Sequence, residues 1–455
     1  MLRVVRTGWG WVAAVAFSAA CLALGWQNTA PAQVTLDTNN RAVGGVMIDA
    51  GGLVQNASPD VLREARKVWE ENKAQPPQAL AQAAARRSIS LRKLDAELSA
   101  CLQAGRPIPD EIALLGGLTR IEYVLVYPER NDIVLVGPAE GWKYNERGAI
   151  VGSESGRPIL LLDDLVTVLR AAFVPQPSVI SCSIDPTPEG VRAVNAVTQG
   201  LRGPVNPSAV AKMSAQAAGP QRVTLTGIPA DSHFARVLVA ADYRMKRISM
   251  GVDPSPVPGL TSFVSLVQGA SRAPGGPMPR WWLAPDYEPL LKDEAGLAWK
   301  LQKAAVKTMV EADVYSAEGT REKTVEAAPV HRRWAEMMTA HYEKLALAEP
   351  VFGQVRNCMD LAVAAALIRN ENLLGKAGMQ LPGLIGHEVP TAQLPAPKAV
   401  PAEAVFARVG RSWMFVTGGV MINAWEIAAR SQTDAALANA RTEIAYPDGN
   451  TWWAN

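Results

Sequence analysis

Cysteine is scarce in this chain of 455 residues: Cys21, Cys101, Cys182 and Cys358 are all there are, and no two have the C-x-x-C spacing of a zinc or redox site. Histidine is equally thin. His233, His331, His341 and His387 form no HExxH pair, and His387-Glu388 has no second histidine after it. An excess of one charge is missing too. Lys and Arg number 45 against 43 Asp and Glu, and removing Arg3 and Arg6 makes the signs even. That balance argues against nucleic acid or an anionic membrane as the main partner. No phosphate loop, dinucleotide fingerprint or calcium loop occurs, so neither cofactor nor metal is expected. After residue 32 no stretch reaches the ~18 apolar residues of a transmembrane helix. The longest, Leu361 to Ile368, is bounded by Asp360 and Arg369.

What is present begins with a leader. Arg3 and Arg6 precede an apolar stretch, Trp9 to Gly25, and Ala30-Pro31-Ala32 offers an Ala-x-Ala cleavage site before Gln33. Residues 1–32 therefore read as a secretory signal peptide, and the mature chain as periplasmic or extracellular. Lipidation at Cys21 is disfavoured, because Ser18 stands where lipoprotein signals carry Leu. With Cys21 removed, three cysteines remain and at most one disulfide is possible. A hydrophobic content of 48% then allows a substantial core in two or three domains.

The strongest local pattern is Gln221 to Asp253. Val223 and Leu225 alternate with polar residues as in a half-buried strand, Gly227 and Pro229 break it, and Asp231 or Ser232 can cap a helix. Phe234, Val237, Leu238, Ala241, Met245 and Ile248 then mark one helix face, ended by Gly251. Upstream, Pro59 opens one helix and Ala79 to Ala104 reads as another. Ile121–Tyr127 and Ile133–Val136 form a hairpin, a helix starts near Leu162, Val179–Ile184 is a strand, and Thr187–Leu201 a helix. Arg202 to Pro220 is a poorly patterned crossover. Downstream, Arg280–Ala284, Leu297–Leu301 and Val306–Tyr315 are strands, and Pro329 and Pro350 open two long helices.

The sum is an α+β chain with mixed sheets and packed helices. Its regions are 33–120 mainly helical, 121–253 an α/β core, 254–387 strands then two helices, 388–403 a Pro/Ala-rich linker, and 404–455 a closing strand and helix. GGVMIDA at 44–50 is echoed by GGVMINA at 418–424. Chance in a Gly-, Val- and Ala-rich chain is the simpler reading; the alternative puts both segments in one sheet.

Candidate chemistry is sparse. Ser90 and Lys93 match Ser-x-x-Lys, yet no Lys-Thr-Gly strand accompanies them, and a solvated helix face is favoured. Gly152-Ser153-Glu154-Ser155-Gly156 has Glu154 where a nucleophile elbow needs serine, and reads as a turn. His341 falls on an apolar stripe as a core residue; His233, at a helix start where the dipole opposes a protonated ring, reads as a surface residue. Glu140, Asp163, Asp164, Asp231, Asp242 and Asp286 are the carboxylates in well-patterned regions. Asp163 and Asp164 point different ways on a helix, which suits caps or one buried partner, and Asp242 and Arg244 suit an ion pair beside the core.

Tryptophan stands out. Trp9, Trp11 and Trp26 lie in the leader, and the rest of the 13 outnumber the 7 Phe. Trp281-Trp282 and Trp452-Trp453 are adjacent pairs, so on a strand each pair splits between faces. Covering the core edge is the plainer role; an exposed face suits protein or carbohydrate. Trp142, Trp281, Trp282, Asp242 and Arg244 are therefore the candidate binding residues.

Four segments, GPAEGWK (137–143), GRPILLLDDL (156–165), ADYRMKR (241–247) and PVFGQVRNCMDLAVAAAL (350–367), together resemble an uncharacterised family of exported bacterial proteins carrying a domain of unknown function. The resemblance implies no activity and transfers no catalytic residue. The expected role is non-catalytic binding or assembly in the cell envelope, with a protein or carbohydrate partner. The alternative is an exported hydrolase using a Ser or carboxylate site.

Overall fold

The computed structural model describes residues 42–43, 46–48, 54–72, 75–202, 206–268, 278–316, 320–387, 389–407, 412–414 and 417–455. The expected signal peptide, residues 1–32, lies outside them.

Two seven-stranded sheets frame an α+β fold. The first runs in the order Arg321–Val325, Ala305–Tyr315, Met278–Asp286, Thr417–Ile422, Ile180–Asp185, Gln221–Thr226 and Ala399–Val400. All its pairings are antiparallel except that of Met278–Asp286 with Thr417–Ile422. One face is buried under helices His233–Met250 and Pro329–Ala348. The other stays partly open, as the strict alternation of Ile180–Asp185 records. The second sheet is built on the predicted hairpin, Tyr123–Tyr127 against Asp132–Ala139.

Helix Pro350–Asn370 is the axis of the core. It meets helices Leu162–Ala172, Pro329–Ala348 and His233–Met250 and is apolar on nearly every side. Against the expectation that no stretch after residue 32 would be, it is by length and composition apolar enough to cross a membrane, but 94% of its most apolar window is buried in the fold. It ends at Asn370, and Asn372 takes a left-handed conformation (φ 49°) before the short helix Leu373–Ala377 begins.

Three expectations need correction. Ala84–Ser90 is a strand, and the helix starts only at Leu91. The Ala-rich stretch has helix propensity, but pairing with Asp132–Ala139 prevails. Arg87 is fully buried there, donating to the carbonyls of Leu80 (3.2 Å), Gln82 (3.0 Å) and Gly116 and to Asn455 Oδ1 (2.6 Å). The crossover holds a helix, Pro207–Ala218, whose cap Asn206 accepts N–H bonds from Ser208 (2.9 Å) and Ala209 (3.2 Å). Of the expected linker, residues 389–403 are extended but firmly docked: Leu394 and Ala396 donate to the carbonyls of Asp231 and Ala230 at 2.6 and 2.7 Å, and Val389 and Ala392 are buried. Val46–Ile48 belongs to a separate three-stranded sheet from Thr417–Ile422, which rejects the one-sheet alternative for the GGVMI echo.

Candidate functional site

The carboxyl half of helix Leu162–Ala172, the turn after strand Gln221–Thr226 and the docked stretch around residue 390 enclose a cleft of about 720 Å³. Each wall has a local cause. The helix presents Thr167, Arg170 and Ala171, with Phe173 and Val174 following its end. The turn needs glycine at Gly227 (φ +80°), where a Cβ would stand 2.7 Å from the carbonyl oxygen of Val179. Ser232 then caps helix His233–Met250 by accepting the Ala235 N–H at 3.1 Å. The third wall supplies Ile385, His387, Thr391 and Gln393.

Behind the cleft, three buried titratable groups meet. Asp163 and Asp164 begin the helix, where the dipole favours anions, and their side chains diverge by one residue's rotation. Asp164 faces the start of the neighbouring helix, where His233 Nδ1 lies 3.1 and 3.0 Å from its two oxygens. Burial alone would lower the His233 pKa; the charge and hydrogen bond of Asp164 outweigh it and raise the pKa. His233 is thus a buried, carboxylate-paired ring, not a surface residue. Asp163 accepts the Ala392 N–H at 3.2 Å, and burial pushes its carboxyl up to about 6. Arg170 donates to the Val389 carbonyl at 2.8 Å while its Nε, shielded from solvent, has no acceptor. Burial lowers its pKa, against the attraction of Asp163.

The sequence candidates fall elsewhere. Trp281 is fully buried, not on an exposed face: its indole donates to the His331 carbonyl (3.2 Å) and packs 4.5 Å from Trp334 and 4.9 Å from Phe263. Trp282, one residue on, takes the open sheet face opposite the exposed Met309 and beneath Arg280. Trp142 is buried with Leu80, Leu114, Ile159 and Leu161. Trp452 is buried, and Trp453 is half-buried with the Arg87 guanidinium 5.5 Å from its ring. Asp242 and Arg244 do not pair with each other, since two residues along a helix point to different faces. Asp242, pushed up to about 6 by burial, meets Lys246 at 3.0 Å, whose ammonium also donates to the Ile184 carbonyl. Arg244 binds Glu349 (2.9 Å) and Asp253. Both residues serve the fold from within it.

Ser90 is a buried cap: its hydroxyl donates to Asp132 and accepts the Lys93 N–H at 3.1 Å, while the Lys93 ammonium is turned to the carbonyls of Pro447 and Gly449. The 152–156 turn wraps Glu140, whose carboxylate takes N–H bonds from Glu154 (2.7 Å) and Ser155 (3.0 Å) and the Ser155 hydroxyl. His341 is half-buried, with Nδ1 2.9 Å from the Met337 carbonyl. Buried His331 has no partner for Nδ1, and burial pushes its pKa down to about 4. Asp286 lies 3.5 and 3.7 Å from Lys307 and Lys303. Cys101, Cys182 and Cys358 are buried and unpaired. Among the described residues no three His, Cys, Asp or Glu are grouped to hold a metal.

Sequence reasoning missed Arg170, the docked wall and the Asp164–His233 pair. Only the acidic helix start and the histidine after a capping serine hint at that pair.

Residues 182–263, from strand Ile180–Asp185 through helix His233–Met250 to the start of helix Phe263–Gln268, match the model of a family described as a protein of unknown function, DUF1598. Neither the curated proteins nor the solved structures include a match. The matched segment carries one cleft wall and His233, so a domain of unknown function supplies part of this site.

Proposed function

We propose that the chain is an exported, non-catalytic binding protein of the cell envelope whose ligand occupies the cleft beside Arg170. The cleft is the observation that carries this reading. At about 720 Å³ it lies in the range that encloses a small molecule, and its walls mix apolar surface with a few fixed polar groups. Binding is favoured over turnover by the hydroxyls at hand. Ser232 donates to the Pro229 carbonyl and caps its helix, and Thr167 donates to the Asp163 carbonyl at 2.7 Å. The basic and apolar leader supports export. An envelope protein or carbohydrate as a second partner rests on Trp282 alone.

One observation favours the hydrolase reading: a carboxylate holding an imidazole at 3.0 Å is how a general base is oriented. A His233→Gln variant separates the two, since it removes hydrolysis under that reading and leaves retained ligand under ours.

The test is to purify the full chain without denaturation, release small molecules with acid, and identify them by mass spectrometry. Ala171→Trp, which fills the cleft, is the control. A stoichiometric molecule from wild type that is absent from the variant is expected. Its absence from both, or equal recovery, overturns the reading.

A further inference from the structure

Two opposite charges line the cleft without an ion pair among the described residues. Arg170 stands on the helix wall, and Asp231 on the turn. The nearby acids are otherwise engaged: Asp164 holds His233, and Asp163 accepts the Ala392 N–H. The turn is fixed, because the Asp231 carbonyl accepts the Leu394 N–H at 2.6 Å. A ligand of one sign would meet one attractive and one repulsive group. A ligand carrying both signs meets two attractive ones, and each protein charge gains an opposite charge.

A smaller cavity of about 20 Å³ adjoins the cleft, sharing Ala171 and Ser178 with it. Its walls are Ala172, Ala362 and Ala366, with Trp425 pinned by a hydrogen bond to the Ser178 carbonyl at 3.3 Å. That space suits a methyl to propyl group, and its lining is mostly apolar. The main cleft exceeds what a single amino acid fills and suits a chain of about two or three residues.

We propose that the cleft binds a short peptide with free ends, its carboxylate on Arg170, its ammonium towards Asp231 and a small aliphatic side chain in the alanine-walled slot. This rests on the cleft being the ligand site. His387 on the third wall and the threonine and glutamine near it offer polar atoms to the peptide groups.

Isothermal titration of the full chain with Ala-Ala, N-acetyl-Ala-Ala, Ala-Ala amide and Phe-Phe tests it. Ala-Ala is expected to bind, each blocked end to weaken binding at least tenfold, and Phe-Phe to bind more weakly still. Arg170→Met should abolish the preference for Ala-Ala over its amide, and Asp231→Asn the preference over the acetylated form, with Tm confirming that each variant folds. Ala-Ala that does not bind, or blocked peptides that bind equally, overturn the peptide assignment. Capture of a different small molecule by wild type and not by Ala171→Trp would then leave the cleft as the ligand site and remove only the peptide. Failure of both experiments removes both.

Discussion

His233 Nδ1 lies 3.0 Å from Asp164 Oδ2, across 69 residues of sequence, and the pair ties the helix that floors the cleft to the helix that follows its turn. The dipole at the start of helix His233–Met250 opposes a protonated ring, and the Asp164 carboxylate overrides it. In Asp164→Asn burial, the dipole and Arg236 are opposed only by the weaker attraction of Asp163. The His233 pKa, followed by NMR titration of the ring, should fall from above to below the ordinary histidine range; an unchanged value would mean the pair does not set its charge.

Asp163 gives a pH signature. Its carboxyl is pushed up to about 6 in the fold, against 3.8 in the unfolded chain. A raised carboxyl contributes stability that is fully present below the unfolded value and is lost as pH rises through about 6. Asp163→Asn removes the titration. The unfolding free energy of the variant relative to wild type should therefore rise between pH 4 and pH 8, on the order of 2–3 kcal/mol across two pKa units, as pH-dependent melts would show. A difference independent of pH contradicts the buried placement.

His331 has the opposite sign. Burial pushes it down to about 4 from 6.5, so its contribution is present above 6.5 and is lost as pH falls towards 4. His331→Phe keeps the carbonyl that Trp281 uses and should flatten that acid-side loss in thermal melts.

The 152–156 turn predicts a sharp cost at one glycine. A Cβ on Gly152 would stand 2.0 Å from the Glu140 carboxylate, which is held by two N–H bonds and a hydroxyl. Gly152→Ala should destabilise by about 2–4 kcal/mol, and Ser155→Ala by about 1 kcal/mol. Urea melts distinguish them; equal small effects would mean the turn yields easily.

Trp281 and Trp282 test the strand alternation. Trp281→Ala should cost about 3–5 kcal/mol by emptying a core site. Trp282→Ala, on the open face, should cost about 1 kcal/mol and act on partner capture instead. Partner loss in Trp281→Ala without loss of stability would contradict this placement.

These residues show what the sequence could and could not convey. The unit from Gln221 to Gly251 was legible because strand alternation, cap, apolar stripe and glycine stop agree locally, and Ser232 and Gly251 take those roles. The Trp281-Trp282 pair showed that neighbours would split between faces, but not which ring would be buried, because that depends on which side helix Pro329–Ala348 covers. Ala84–Ser90 misled because its pairing strand and the carbonyls that hold Arg87 are tertiary. The site was the least legible part. Arg170, Asp231 and Gln393 meet only through docking of a Pro/Ala-rich stretch that has no pattern of its own.

The central claim is that the ligand enters the cleft and not the open sheet face. Fluorine NMR of the full chain labelled with 5-fluorotryptophan tests it, with Trp425→Phe and Trp282→Phe assigning the resonances of the slot and of the sheet face. On addition of the low-molecular-weight fraction of a cell extract, the Trp425 signal should shift and the Trp282 signal stay. A shift at Trp282 with Trp425 unmoved, or no shift at either, would contradict it.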